Sequence, residues 1–345
     1  MENLIIPDDY TELLSPRETE KAIMKIKDSF QTNLAFELNL QRVTAPLFVR
    51  SGTGINDDLN GVERPVRFSL GAMGDESAEI VQSLAKWKRL TLADLGFGPQ
   101  EGLYTDMNAV RPDDKMDNTH SIYVDQWDWE LAIDPEERTL EELERIVRKI
   151  YDVIRRTEKY ICHEYDQLTP RLPEEITFFH AEELARQYPK LAPRERETEA
   201  CREHGAVFVI GIGGDLGNGE VHDGRAPDYD DWSTTTQDGF KGLNGDILVY
   251  NHILESAFEL SSMGIRVDPE ALERQLEITG TTERRELYFH QRLLSGELPS
   301  SIGGGIGQSR LCMLYLQKAH IGEIQASIWP EEMKKRCQES GIFLL

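Results

Sequence analysis

Three stretches place oxygen-handling and phosphate-handling side chains at useful spacing. In the first, Ile247, Leu248, Val249 and Tyr250 form a short apolar, β-favouring run, with Asp246 just before it. A second strand-like run over residues 258–267 carries Glu259, Ser261, Ser262 and Arg266. Strand alternation predicts Glu259, Ser261 and Met263 on one face and Leu260 and Ser262 on the other. A carboxylate and a hydroxyl projecting together suit a divalent cation that carries nucleotide phosphates, because hard cations take oxygen ligands. The second stretch, 303–310, is three glycines, Ile306, a fourth glycine, and then Arg310 at what reads as a helix start. The third holds Arg111, whose planar fork can donate two parallel hydrogen bonds to a phosphate.

Further candidates stand beside plainer readings. Residues 120–130 alternate Tyr123, Asp125, Trp127 and Trp129 with Val124, Gln126, Asp128 and Glu130, so Gln126 and Asp128 point the same way. An amide and a carboxylate there would read a zwitterionic amino acid; a solvent-facing edge strand explains the pattern equally well. Lys86, Lys88 and Arg89, interleaved with Trp87, either hold an anionic substrate or form a solvated helix face. Asp57 and Asp58, in the turn-rich loop 51–61, read first as turn residues. Asp223, Asp228, Asp230 and Asp231 crowd one loop with His222, but no second histidine lies close enough for a two-histidine metal site. These carboxylates better suit an ammonium group, Mg²⁺ or its waters. The glycines of 211–219 miss dinucleotide-binding spacing and read as a turn.

The elements that must position these groups are legible in part. Ser15-Pro16-Arg17-Glu18 is a capping box that opens a long helix with Ile23, Ile26 and Phe30 on one face, leading into a strand around 43–49. A second box at Thr139–Glu142 opens an amphipathic helix over Leu143, Ile146, Val147, Ile150 and Ile154, reaching about Glu164. Residues 176–180 and 206–214 read as buried strands. Asp268-Pro269 starts a helix that Gly280 ends, another runs to about Leu294, and the tail after Trp329 reads as peripheral.

The chain has 345 residues, 39% of them hydrophobic, with no linker or repeat, so one domain spanning 1–345 is expected. A net charge of −24 argues against binding nucleic acid, which wants a basic footprint. The four cysteines are scattered and read as reduced thiols. The N-terminal stretch lacks a signal-peptide pattern and no apolar run reaches membrane-span length, which predicts a soluble cytoplasmic protein.

Residues 305–310, Gly-Ile-Gly-Gln-Ser-Arg, resemble the third motif of class II aminoacyl-tRNA synthetases, whose arginine packs on adenine and binds ATP. Arg111-Pro112-Asp113-Asp114, the polar loop 115–119 and His120 resemble the second motif, with an Asp in place of the usual Glu and Val124 where Phe is expected. Together with SLAKWKR (83–89), YVDQWDWE (123–130), RAPDYDDWS (225–233) and ELSSMGIR (259–266), the whole chain resembles the ammonia-dependent asparagine synthetase family (aspartate–ammonia ligases, AMP-forming), stand-alone relatives of that core.

The resemblance implies an α/β fold, mainly an antiparallel sheet flanked by helices. It implies ATP-dependent synthesis of asparagine from aspartate and ammonia through β-aspartyl-AMP, with homodimers built on the first helix and strand. It assigns Arg111, His120, Asp246, Glu259 and Arg310 to ATP, and Glu259 with Asp246 to Mg²⁺. Asp57, Ser83, Lys88, Gln126, Asp128, Asp230, Ser262 and Arg266 fall to the amino acid, and Arg111, Asp57, Lys88 and Arg310 to catalysis. Asp57 or Asp230 would take the proton from ammonium, and Asp228 and Asp231 would support Asp230. Glu2 stands where a glutamine-dependent enzyme needs cysteine, so free ammonia is expected. The rival readings are a tRNA-charging paralogue and a non-catalytic regulator.

Overall fold

The structure, a computed structural model, describes residues 4–57, 59, 63–236 and 239–345, so the turn expected at Asp58 lies outside the described residues. Helix α1 (Pro16–Leu38) starts as its sequence dictates: the Glu18 N–H donates to Ser15 Oγ, and the Ser15 N–H donates back to the Glu18 carboxylate at 3.0 Å. Strands β1 (Leu40–Arg42), β2 (Phe48–Arg50), β3 (Arg67–Leu70) and β4 (Glu76–Ile80) follow, then α2 (Ala85–Leu95), β5 (Gly102–Val110) and β6 (Tyr123–Ala132). Next come α3 (Leu140–Glu164), β7 (Thr177–His180), α4 (Ala181–Gln187), α5 (Pro193–His204), β8 (Ala206–Ile210), β9 (Asn244–Asn251) and β10 (Ser256–Ile265). The chain ends with α6 (Pro269–Thr279), α7 (Tyr288–Leu294), β11 (Ser301–Gly307), α8 (Gln308–Tyr315) and α9 (Glu331–Glu339).

Eight strands form one sheet in the order β1-β5-β6-β11-β10-β9-β8-β7, antiparallel except where β1 pairs with β5 and β7 with β8. A separate three-stranded sheet joins β2, β4 and β3. Central strand β6 shows how one sequence serves two faces. Trp127 and Trp129 go to the core beneath α1 and α3, where Phe30 meets Trp127 at 4.5 Å between ring centroids. Truncating either tryptophan there would cost on the order of 3–5 kcal/mol. Gln126, Asp128 and Glu130 project from the opposite face, so the edge-strand reading is wrong: β6 is paired on both sides.

Several expected elements shift. The segment expected to be a strand around 43–49 instead divides, because β1 pairs with the main sheet and β2 leaves for the small one. Residues 176–180 form an edge strand that is half-buried rather than buried, since β7 has a neighbour only in β8. Thr139 accepts from the Glu142 N–H at 3.2 Å, but Glu142 turns forward to Arg145 instead of closing the box. The helix expected to run to about Leu294 is α7, which ends there and follows a 3₁₀ turn, Thr282–Glu286. The tail is not peripheral: Met333, Cys337 and Ile342 pack into the main core. No helix among the described residues is long and apolar enough to cross a membrane.

Candidate active site

The polar face of the sheet floors a cavity of roughly 790 Å³, within the usual range for small-molecule sites of about 300–1,000 Å³. Register builds that floor. Asp128 of β6 lies opposite Gly305 of β11, Gly305 opposite Ser262 of β10, and Ser262 opposite Asp246 of β9, so this row shares one face. The cavity-facing residues of β11 are glycines for lack of room. A Cβ on Gly305 would sit 2.3 Å from Gln126 Oε1, and one on Gly303 would sit 1.9 Å from Glu130 Oε2.

A bulge corrects the expected alternation in β10. Glu259 pairs with Leu248 and Ser261 with Ile247, so Leu260 is an extra residue. The face therefore switches: Glu259 shares the cavity with Ser262, while Ser261 is buried outside it. Of the residues that the resemblance assigns to ATP, Mg²⁺, the amino acid or catalysis, all but Asp246 line this cavity, including Asp57, Ser83, Lys88, Arg111, His120, Gln126, Asp230, Arg266 and Arg310, whereas Lys86, Arg89, Asp228 and Asp231 do not. Asp246 stands behind the wall, accepting from Ser262 Oγ and from Arg225.

At one end of the cavity, Arg310 Nη1 donates to the Glu259 carbonyl at 3.1 Å and lies 3.4 Å from its carboxylate. The Glu259 side chain stays 42% exposed. Burial would raise the Glu259 carboxyl, but Arg310, Arg225, His120 and Arg111 together hold it below its usual range. Arg111 is aimed by its own bonds to the Gln82 carbonyl, at 3.2 and 3.0 Å. His120 Nδ1 is 2.9 Å from Asp117, whose carboxyl falls to about 2: burial would raise it, and that hydrogen bond and the His120 charge outweigh burial.

At the other end, Lys88 is wholly buried on α2 and donates to Asp128, to the Trp129 carbonyl at 2.9 Å and to the Gly304 carbonyl at 3.0 Å. Of the two readings of this basic run, the solvated helix face fails: Lys86 and Arg89 are buried too, Lys86 on Asp228 and Arg89 on the Pro299 and Val267 carbonyls. Arg266 joins Glu130 to Asp230. Burial would raise the Glu130 carboxyl, yet Arg266 and Lys88 hold it low, whereas burial does lift Asp128. Asp231 does not support the cavity; it pairs with Arg138 and caps Ser233 and Thr234.

Sequence reasoning passed over Arg225 and Tyr229, both cavity-lining. Arg225 spans the two ends, paired with Asp246 and 3.6 Å from Asp230. A lone arginine in the acid-rich stretch 223–231 was the available signal. Tyr229 is half-buried; desolvation and the nearby Asp57 charge push its hydroxyl well above the ordinary tyrosine value.

Among the described residues no three acidic, histidine or cysteine side chains converge as a metal cage. The donors present fit a cation bound mostly by phosphate and water oxygens, as Mg²⁺ is with nucleotides. Burial pushes Asp246 up to about 7, and the Glu259 charge adds to that, a repulsion a cation at this wall would relieve.

In structure, the chain resembles asparaginyl-tRNA synthetase from Pyrococcus horikoshii complexed with asparaginyl-adenylate, with a TM-score of 0.65 at 16% identity, covering 91% of this chain and 70% of that one. Asparaginyl-tRNA synthetase from Entamoeba histolytica gives 0.63 at 16% identity, covering 90% and 67%. In sequence, aspartate–ammonia ligases from Parabacteroides distasonis and Clostridium perfringens are 59% and 57% identical over 345 residues, the whole of each chain. The aspartate-ammonia ligase family model matches residues 17–341, and the chain belongs to that family.

Proposed function

We propose that the protein makes L-asparagine from L-aspartate and free ammonia at the expense of ATP, releasing AMP and pyrophosphate. The observation that carries the reading is one continuous cavity with arginines Arg111 and Arg310 at one end and the Lys88–Asp128 and Arg266–Asp230 pairs at the other. A carboxylate is a poor acyl donor at neutral pH, and adenylation gives its carbon a good leaving group. The protein's work is then positioning and charge neutralisation. Arg111 and Arg310 bind the nucleotide and its α-phosphate, with His120 beside them. Gln126, Asp128, Asp230, Ser262 and Arg266 orient aspartate so that its side-chain carboxylate meets the α-phosphate, and Lys88 holds Asp128 in place. Asp57 accepts a proton from ammonium, and neutral ammonia attacks the acyl carbon.

Glu259, with Asp246 behind it, would hold Mg²⁺; bound there with ATP, Mg²⁺ neutralises phosphate charge. Two further readings belong here. The enzyme acts in the cytoplasm, in keeping with four free cysteines, three of them buried. It acts as a homodimer through α1 and the small sheet, where Phe36 is 86% and Met24 58% exposed and Phe48 stacks edge-on to Phe68. The net charge of −24 favours ammonia over tRNA as acceptor.

The test is to supply aspartate, ATP, Mg²⁺ and ammonium without tRNA, beside a glutamine-only control. Asparagine with matching AMP and pyrophosphate supports the reading. ADP and phosphate would mean an acyl-phosphate route and overturn it. Aspartate-dependent pyrophosphate exchange without asparagine would point to another acceptor.

A further inference from the structure

Asp228 precedes Tyr229 and Asp230, which line the cavity, yet its own carboxylate is fully buried outside it. One oxygen, Oδ2, accepts three hydrogen bonds: from Lys86 Nζ at 3.1 Å, Arg284 Nη1 at 3.0 Å and His290 Nε2 at 3.0 Å. Two of these donors lead back to the cavity. Lys86 is two residues ahead of Lys88 on α2. His290 sits on α7 against the loop that carries Asp57: a Cβ on Gly54 would meet His290 Nδ1 at 3.1 Å and Leu287 Cβ at 2.9 Å. The Phe289 N–H also donates to the Thr53 carbonyl of that loop at 3.3 Å. The segment bearing Asp228 is itself clamped from α6, where Gln275 Nε2 donates to the Pro227 carbonyl at 2.8 Å and to the Asp230 carbonyl at 3.0 Å. Burial would raise this carboxyl, but Lys86, His290 and Arg284 keep it far below the usual range, so it is a charged anchor.

We propose that Asp228 is a positioning residue for the aspartate and ammonia end of the cavity, setting Asp57, Lys88 and Asp230 relative to one another through its contacts with His290 and Lys86; this rests on the ligase reading above. At the nucleotide end Arg111 bonds the Gln82 carbonyl and Arg310 bonds Glu259, and neither arginine bonds Asp228 or its three donors. A single junction beneath three substrate-facing groups matters because misplacement by about 1 Å far from the chemistry can lower rates about a hundredfold.

Three variants test it: Asp228→Asn, His290→Leu and His290→Gln, the last keeping an N–H donor near the place of Nε2. Asp228→Asn and His290→Leu should raise KM for aspartate and for ammonium by roughly tenfold or more, with KM for ATP within about twofold. His290→Gln should restore KM toward wild type. A merely structural role would lower Tm and the active fraction, and so kcat, with every KM unchanged. That pattern overturns the proposal, as does His290→Gln shifting KM as far as His290→Leu. If Asp228→Asn does not fold, the His290 pair decides the matter. Wild-type protein that makes no asparagine would overturn the ligase reading and this one together; active wild type with unshifted variants overturns this one alone.

Discussion

Lys88 and Asp128 meet at the cavity floor as a buried ion pair in which Lys88 uses all three of its protons. Asp128, the Trp129 carbonyl at 2.9 Å and the Gly304 carbonyl at 3.0 Å each take one. A neutral amine has two N–H bonds, so this set of acceptors requires the ammonium form. Burial works the other way and lowers the Lys88 pKa, while Asp128 and Glu130 oppose it. Lys88→Met should therefore destabilise the fold by about 3–5 kcal/mol, because it leaves Asp128 charged and buried without its partner. Lys88→Arg should not rescue activity, since a planar fork cannot reproduce three donors from one nitrogen in a site 1% exposed. Urea denaturation and aspartate-dependent pyrophosphate exchange check both points; exchange at the wild-type rate in either variant refutes the role given to Lys88.

Gly303 and Gly305 lie on the same face of β11, two residues apart, but should respond differently to alanine. A Cβ at Gly305 meets the far end of Gln126, which can swing aside. Gly305→Ala should fold with stability within about 1 kcal/mol of wild type and raise KM for aspartate, because the displaced amide occupies substrate space. A Cβ at Gly303 meets Glu130 and, at 2.6 Å, Arg266 Nη2. Those groups are pinned to each other and to Ser301. Gly303→Ala should instead break a buried network and lower stability by roughly 3 kcal/mol. Thermal melts beside aspartate titrations separate the two; equal melting temperatures would contradict this account.

The fold and the site were readable to different depths. Ser15, Asp268 and Gly280 announced helix ends because capping is local, and the hydrogen bonds that satisfy a helix terminus lie within a few residues of it. The two faces of β6 were readable because alternation is local too. Leu260 was not: a bulge is decided by pairing with β9, which no window around Leu260 contains. Lys86, Lys88 and Arg89 could not be placed either, because their acceptors, Asp228, Asp128, Gly304 and Pro299, come from distant stretches of chain. The identities of the cavity residues came through resemblance. Arg225 did not, having no partner visible before β9 and Asp246 were brought beside it.

Glu259 offers the open carboxylate at the nucleotide end, with Asp246 already engaged by Arg225 and Ser262. Chelating Mg²⁺ should abolish adenylation, and Glu259→Gln should move the Mg²⁺ midpoint upward by at least the roughly tenfold that losing an outer-shell partner costs. Titrating Mg²⁺ at fixed ATP measures this. An unchanged midpoint would remove Glu259 from the cation site, whereas a changed KM for aspartate alone would assign it to the amino acid.

His320, which does not itself line the cavity, should make stability depend on pH. Its ring is fully buried, Nδ1 accepts from the Gly322 N–H at 3.0 Å, and the Trp329 ring lies edge-on at 4.8 Å. Burial pushes its pKa down from 6.5 to about 4, against a small opposing pull from Asp117. The native state therefore refuses a proton that the unfolded chain accepts below 6.5, so stability is complete above that value and is lost as pH falls toward 4. The loss amounts to roughly 3 kcal/mol. His320→Asn keeps an acceptor for Gly322, a good helix-capping residue, and removes the titration. The variant should be less stable than wild type at pH 7 through lost packing, and the gap should narrow by roughly 3 kcal/mol as pH falls to 4. Urea midpoints across that range decide it. A gap that stays constant means His320 titrates alike in both states, and the buried neutral ring is then not a source of acid sensitivity.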